Sequence, residues 1–178
     1  MKTKFYVMHY KQAPERKNIL HPKLEELGIE AEWYTDYDQE DLTEELIDEL
    51  YSEDLELFKH RMDGWKTDED YRNYKGITRS HLSLVIKFIK CIETIAESDY
   101  DNVVFFEDHP STNTTSSFAM TKEACVKILD TLYPVCNSVD WEFNYHFAAN
   151  NFRVFHTFPY ICGQASTSGR CESTLTLK

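Results

Sequence analysis

From Ser80 to Ala96 the apolar residues Leu82, Val85, Ile86, Ile89, Ile92 and Ala96 return at steps of three and four. That is the period of one helix face, so the segment predicts an α-helix with a broad buried stripe. Shortly after it, Asn102 leads into Val103-Val104-Phe105-Phe106. This run is apolar on both of its alternating faces, as in a strand covered on both sides within a parallel α/β sheet. The opening residues carry the same alternation of elements. Phe5-Tyr6-Val7-Met8, bounded by Lys4 and His9, predicts a strand. Pro14 opens a segment with Ile19, Leu20, Leu24 and Leu27 near helical spacing, and Gly28 stops it as a C-terminal cap. Ala31 to Tyr37 alternates and is rich in Trp and Tyr, which predicts a second strand. Strand–helix–strand is the unit from which nucleotide-binding α/β sheets are built.

Further along, Asp41 and Glu44 stand at capping-box spacing before a helix striped by Leu42, Leu46, Ile47 and Leu50. From Glu53 to Tyr74 the pattern dissolves, and an irregular excursion is expected. Ser117-Phe118-Ala119-Met120 predicts a short strand. Thr121 then caps a helix striped by Ala124, Cys125, Ile128, Leu129 and Leu132. Val139 to Asn150 is expected to be helical. Phe152 to Ile161 is expected to be extended, as an edge or final strand because it contains Pro159. The Ser/Thr-rich tail after Gly163 is expected to be irregular. With 178 residues and no internal repeat, the chain is expected to form one domain spanning 1–178.

A hydrophobic content of 42% and an aromatic content of 14% belong to a folding chain rather than a disordered one. A formal charge of −12 argues against nucleic acid or an anionic membrane as a partner. The acid is concentrated: no Lys or Arg occurs between Leu24 and Phe58. This stretch reads as a solvated helical face, with a partner-docking or cation-attracting face as the alternative. The five cysteines are odd in number and form no CxxC pair, and Cys91 and Cys125 fall on apolar stripes. They read as reduced, buried small hydrophobes. No apolar run near the start suggests a secretory signal, and none approaches transmembrane length, so a cytoplasmic location is expected.

Ligands of open α/β sheets bind beyond the carboxyl ends of the strands. The strand Val103–Phe106 ends there in Glu107-Asp108-His109, followed by Pro110. Hard carboxylate oxygens suit Mg²⁺ or Mn²⁺ carrying a diphosphate, and a His ligand tilts the choice toward Mn²⁺. The same letters also fit an exposed acidic turn.

Several segments together resemble glycosyltransferase family 25, the lipopolysaccharide- and collagen-type galactosyltransferases. They are Phe5–Tyr10 followed by Glu15-Arg16, Gly76-Ile77-Thr78-Arg79-Ser80-His81-Leu82-Ser83-Leu84, and Val104-Phe105-Phe106-Glu107-Asp108-His109. After these come Ser117-Phe118-Ala119-Met120-Thr121-Lys122-Glu123-Ala124, Val139-Asp140-Trp141, Phe158-Pro159-Tyr160 and Gln164-Ala165-Ser166. The resemblance covers most of the chain in order. It departs at His109, where the family usually has a third acid. It departs again between the triplet and the next strand, where Pro110 to Ser116 stand in place of a few dozen residues.

The resemblance implies a GT-A-type α/β domain with a mostly parallel sheet flanked by helices and Val103–Phe106 central. It implies an inverting, metal-assisted transfer of a hexose from a nucleotide sugar, UDP-galactose or a similar UDP-hexose, to a hydroxyl of a glycan or protein acceptor. Asp108 and His109 are the expected metal and diphosphate contacts, with His156 and Gln164 completing the metal or sugar site. Glu107 is expected at the site or as an anchor of its loop. Arg16 is placed to pair with a diphosphate oxygen. Ser80 and His81 are expected to touch the nucleotide or brace its loop, and His9 and Tyr10 to lie beside the nucleobase. Asp140 or Glu142 is the candidate general base, since inversion needs a carboxylate to take the acceptor proton. For Asp140 a helix cap is the plainer role. A non-catalytic nucleotide-sugar-binding or protein-interaction module is the second reading, and an unrelated metal-dependent hydrolase the third.

Overall fold

The computed structural model describes residues 1–62, 69, 74, 76–108 and 117–155. Their elements run β1 (Thr3–Met8), α1 (Pro14–Glu26), β2 (Glu32–Tyr34), α2 (Glu44–Leu50), α3 (Leu55–Met62), α4 (Arg79–Glu97), β3 (Asn102–Glu107), β4 (Ser117–Thr121), α5 (Lys122–Leu132) and α6 (Val139–Ala149). The strands form one mixed sheet in the order β2-β1-β3-β4. β1 is parallel to both β2 and β3, and β4 returns antiparallel along β3. β3 is therefore an interior strand, as its double-sided apolar run predicts. In β1 and β3, Tyr6 pairs with Phe105 and Met8 with Glu107.

One face of the sheet carries the main core. Tyr6, Met8, Val103, Phe105 and Met120 meet the apolar stripes of α4, α5 and α6. Phe88 of α4 is fully buried and sits 5.3 Å from Phe105, 5.3 Å from Phe118 and 5.9 Å from Phe143 between ring centroids. The Phe105 and Phe143 rings meet Phe88 nearly edge-to-face, and aromatic pairs in that geometry attract beyond their buried area. Cys91, Cys125 and Cys136 are free and buried, and burial pushes the Cys125 and Cys136 thiols up to about 12. They behave as the expected small hydrophobes. Cys162 and Cys171 lie outside the described residues. No described helix is long and apolar enough to cross a membrane.

Local signals set most of the element ends. Gly28 adopts φ +66° and donates its N–H to Glu25 O, while Ile29 donates to Leu24 O. These two bonds close α1 as a left-handed cap that glycine favours. Thr121 caps α5 as expected, accepting from the Ala124 N–H at 3.1 Å.

Five expectations need correction. α2 is capped by Thr43, which accepts from Leu46 N–H at 3.2 Å, rather than by Asp41. The Asp41 carboxylate is instead engaged by Lys11 at 2.6 Å. The stretch expected to be irregular from Glu53 contains α3, which packs Phe58 and Met62 into a second small core with Cys136. In α1, Ile19 and Leu27 are exposed, and Leu24 shares the buried face with Arg16. β2 is three residues long rather than running to Tyr37. Of the final extended segment, residues 152–155 are described and form no strand, and the remainder lies outside the described residues.

Candidate functional site

In the order β2-β1-β3, the chain leaves β1 in one direction toward β2 and returns on its other side to β3. The crevice between the carboxyl ends of β1 and β3 is thus the topological switch point, where open α/β sheets bind their ligands. The ladder extends one residue past both strands. His9 N–H donates to Tyr34 O at 3.1 Å, and Asp108 N–H donates to Met8 O at 3.2 Å. His9 and Asp108 are thereby held side by side at the rim of the sheet.

A cleft opens at this place. It is lined by Met8, His9, Tyr10, Glu107 and Asp108 from the strand ends, by Arg16 and the Asp38–Gln39 loop, and by Ser80, Ser83, Leu84 and Lys87. It opens to solvent at its mouth. Two helices direct side chains into it by simple periodicity. In α1, Arg16 stands eight residues before the buried Leu24, on the same face, so it turns inward. In α4, positions 80, 83, 84 and 87 follow the three- and four-residue steps of a second stripe beside the core stripe.

The charges in the cleft are paired. His9 Nδ1 is bonded to Asp108 Oδ2. Arg16 Nη1 stands 3.8 Å from Asp108 Oδ1, with both side chains at least nine-tenths buried. Lys87 donates to His9 O at 2.6 Å and to Asp38 Oδ1. Asp38 Oδ2 also accepts from the Lys11 N–H at 3.0 Å, which fixes the loop against the end of β1. Tyr10 donates its hydroxyl to Glu40 Oε1 at 2.6 Å, and this bond raises the phenol's pKa.

The structure therefore brings together His9, Tyr10, Arg16, Ser80, Glu107 and Asp108. Sequence reasoning missed Asp38 and Lys87, although the second α4 stripe that carries Lys87 can be read from the spacing of Ser80, Ser83 and Leu84. His81 does not line the cleft. Its Nδ1 is 2.6 Å from Thr78 Oγ1, and its N–H donates to the same oxygen at 3.3 Å, so it braces the start of α4. Before that start, Gly76 has φ +74°, and a Cβ there would sit 2.7 Å from Tyr51 Oη, which accepts from the Ile77 N–H.

Burial lowers the His81 pKa from the ordinary 6.5. A base with a lower pKa when folded binds fewer protons than the unfolded chain does. Stability is then full above 6.5 and declines as pH falls toward the folded value. Relative to His81→Gln, the wild-type unfolding free energy in urea should fall as pH is lowered from about 7 to about 5. A difference that stays constant over that range excludes this linkage.

Neither candidate base lines the cleft. Asp140 is buried in the first turn of α6, whose N-cap is Ser138. Glu142 is fully enclosed in a separate network. Its Oε1 accepts from the N–H groups of Cys136 at 2.6 Å and Asn137 at 2.7 Å. Its Oε2 meets Arg61 Nη1 at 2.7 Å and His146 Nε2 at 3.3 Å. Such a carboxylate is an internal clamp, not a group open to an acceptor hydroxyl. His109, His156 and Gln164 lie outside the described residues. Among the described residues no three His, Cys, Asp or Glu groups are placed to hold a metal ion. Asp108, one of the expected ligands, is engaged by an imidazole and a guanidinium.

The fold is that of an α/β protein with a cleft at the sheet's switch point. No protein-family model matches the chain, and comparison with curated proteins finds no significant match.

Proposed function

We propose that the chain is a glycosyltransferase that takes a hexose from a nucleoside-diphosphate sugar, UDP-galactose or a similar UDP-hexose, to a hydroxyl of a glycan or protein acceptor with inversion. The observation that carries this reading is the cleft at the carboxyl ends of β1 and β3. It joins the buried cationic side chains of Arg16 and Lys87 to the strand-end acids in the segments that resemble family 25. Tyr10 and His9 supply ring surfaces at the nucleobase side, Arg16 and Lys87 supply cationic donors for phosphate oxygens, and Ser80 supplies a hydroxyl. The charged pairs hold these groups in place before the donor arrives, which lowers the cost of ordering them.

The Mn²⁺ or Mg²⁺ implied by the resemblance would have to take Asp108 from His9 and Arg16 and draw on His109 and His156, so no step is assigned to it. The base role of Asp140 rests on the Val-Asp-Trp resemblance. The location of Asp140 and Glu142 away from the cleft favours a second reading, a module that binds nucleotide sugar without transferring it.

Thermal unfolding with UDP and a panel of nucleotide sugars, followed by product analysis, tests the proposal. A ligand at a hundredfold its Kd adds about 2.7 kcal/mol, or roughly 5–11 °C in Tm for a chain of this size. The expected result is a shift of that order with UDP-hexoses and release of free UDP. A shift without release supports the binding module. No shift with any nucleotide sugar removes both readings.

A further inference from the structure

Resting on the donor-binding reading above, we propose that His81, acting through Thr78, sets whether Ser80 accepts or donates a hydrogen bond in the cleft, and that at neutral pH Ser80 accepts from an uncharged O–H or N–H group of the sugar nucleotide. Ser80 lines the cleft, and His81 does not. Between them stands Thr78, the N-cap of α4. Ser80 Oγ is 2.9 Å from Thr78 Oγ1, and Thr78 Oγ1 is 2.6 Å from His81 Nδ1.

The state of the imidazole fixes the direction of this relay. A hydroxyl carries one O–H and accepts two bonds. Thr78 Oγ1 already accepts the His81 backbone N–H at 3.3 Å. With Nδ1 unprotonated, Thr78 gives its O–H to that nitrogen, and its second acceptor position takes the Ser80 O–H. All three bonding positions of Thr78 are then filled, and Ser80 is left with acceptor positions alone for the cleft. In the imidazolium, Nδ1–H donates to Thr78 Oγ1, so His81 occupies both acceptor positions. The Thr78 O–H turns to Ser80, and the Ser80 O–H is released to the cleft. One proton at His81 thus exchanges an acceptor for a donor at Ser80. His81 is a positioning residue, and it acts without touching the ligand.

The surroundings of His81 favour the neutral form. Burial lowers its pKa from 6.5, and no charged group among the described residues is a cause of that shift. Its helix neighbours three and four positions away, Ile77, Thr78, Leu84 and Val85, are uncharged. Arg79 bonds to Glu44 at 2.8 Å and to the Gln39 and Leu42 carbonyls. Phosphate oxygens carry no proton to give to an accepting Ser80, whereas sugar hydroxyls and base N–H groups do.

Two measurements on the full chain test the inference. In ¹⁵N spectra of the imidazoles at about pH 7.5, His81 should carry its proton on Nε2 and leave Nδ1 bare. A proton on Nδ1 at that pH overturns the proposal, whatever the protein binds. The same spectra give the midpoint of His81 protonation, expected below 6.5. Calorimetric titration with UDP-galactose follows, since the diphosphate of a sugar nucleotide does not itself titrate in this range. Ser80→Ala should weaken UDP-galactose by about two- to tenfold with His81 neutral, the worth of one hydrogen bond. The effect should shrink to within about twofold once His81 is protonated. Thr78→Val should remove this pH dependence, and Thr78→Ser, which keeps the hydroxyl, should retain it. If Thr78→Val does not fold, because the cap of α4 is lost, His81→Gln is the control that cannot titrate.

Uridine is the second ligand. A Ser80→Ala effect shared by uridine puts the partner on the nucleoside, and one confined to UDP-galactose puts it on the hexose; either supports the inference. An effect that stays constant through the His81 midpoint, or that keeps its pH dependence in the control variant, overturns it. UDP-galactose and uridine that do not bind the wild type remove the donor-binding reading itself, and the His81 tautomer still decides the relay.

Discussion

Replacing Glu142 with Gln should lower the stability of the protein by about 3–5 kcal/mol, because it leaves the Arg61 guanidinium buried without its counter-charge. At roughly 2–4 °C per kcal/mol for a chain of this size, the expected fall in Tm is about 6–20 °C. Both side chains are at most one-twentieth exposed, so solvent screening offers little relief. The companion variant sharpens the test. Arg61→Met together with Glu142→Gln removes both charges and retains an amide oxygen for the Cys136 and Asn137 N–H groups. It should recover most of the loss. A Glu142→Gln protein with wild-type Tm but lost transfer would return Glu142 to the base role expected from sequence.

The second large effect belongs to the aromatic centre. Phe88→Ala should cost about 3–5 kcal/mol, the usual range for emptying a fully packed aromatic position. Phe88 is wholly buried and bridges Phe105 of the sheet, Phe118 of β4 and Phe143 of α6, so the cavity would open between elements that cannot easily close over it. Phe88→Leu keeps much of the volume and should cost about 1–2 kcal/mol. Urea midpoints at an unchanged slope are the measurement. A Phe88→Ala midpoint near wild type would mean that α4 and the sheet do not share one cooperative core.

Strong periodicity made most of the architecture legible. The stripe from Leu82 to Ile92 and the run Val103–Phe106 specify a helix and an interior strand whatever else the chain does. Gly28 and Thr121 mark ends through chemistry that depends only on their neighbours. The misread places were decided by distant partners. Asp41 has the spacing of a cap, but Lys11, thirty residues earlier in the chain, engages it. α3 is short, and the burial of its Phe58 and Met62 depends on Cys136, Trp141 and Tyr74, which only the fold brings near.

The site divides in the same way. The strand-end residues His9, Glu107 and Asp108 were legible because strand ends are where sheets bind ligands. Lys87 was hidden inside a helix that reads as core, and its partner Asp38 lies 49 positions away. The surroundings of Glu142 were hidden because a carboxylate next to Trp141 carries no letter-level sign that Arg61 will enclose it.

Because α4 carries the core stripe and the cleft stripe on one rigid rod, the two are geared together. Each residue along a helix advances the side chain by about 100°. An insertion or deletion between Ser80 and Lys87 would therefore swing the ammonium out of the cleft and, in the same turn, break the register of Ile89 and Ile92 against the sheet. The chemistry of this wall is open to revision one letter at a time, as at Ser80, Ser83 and Leu84, while its length is fixed by the core behind it.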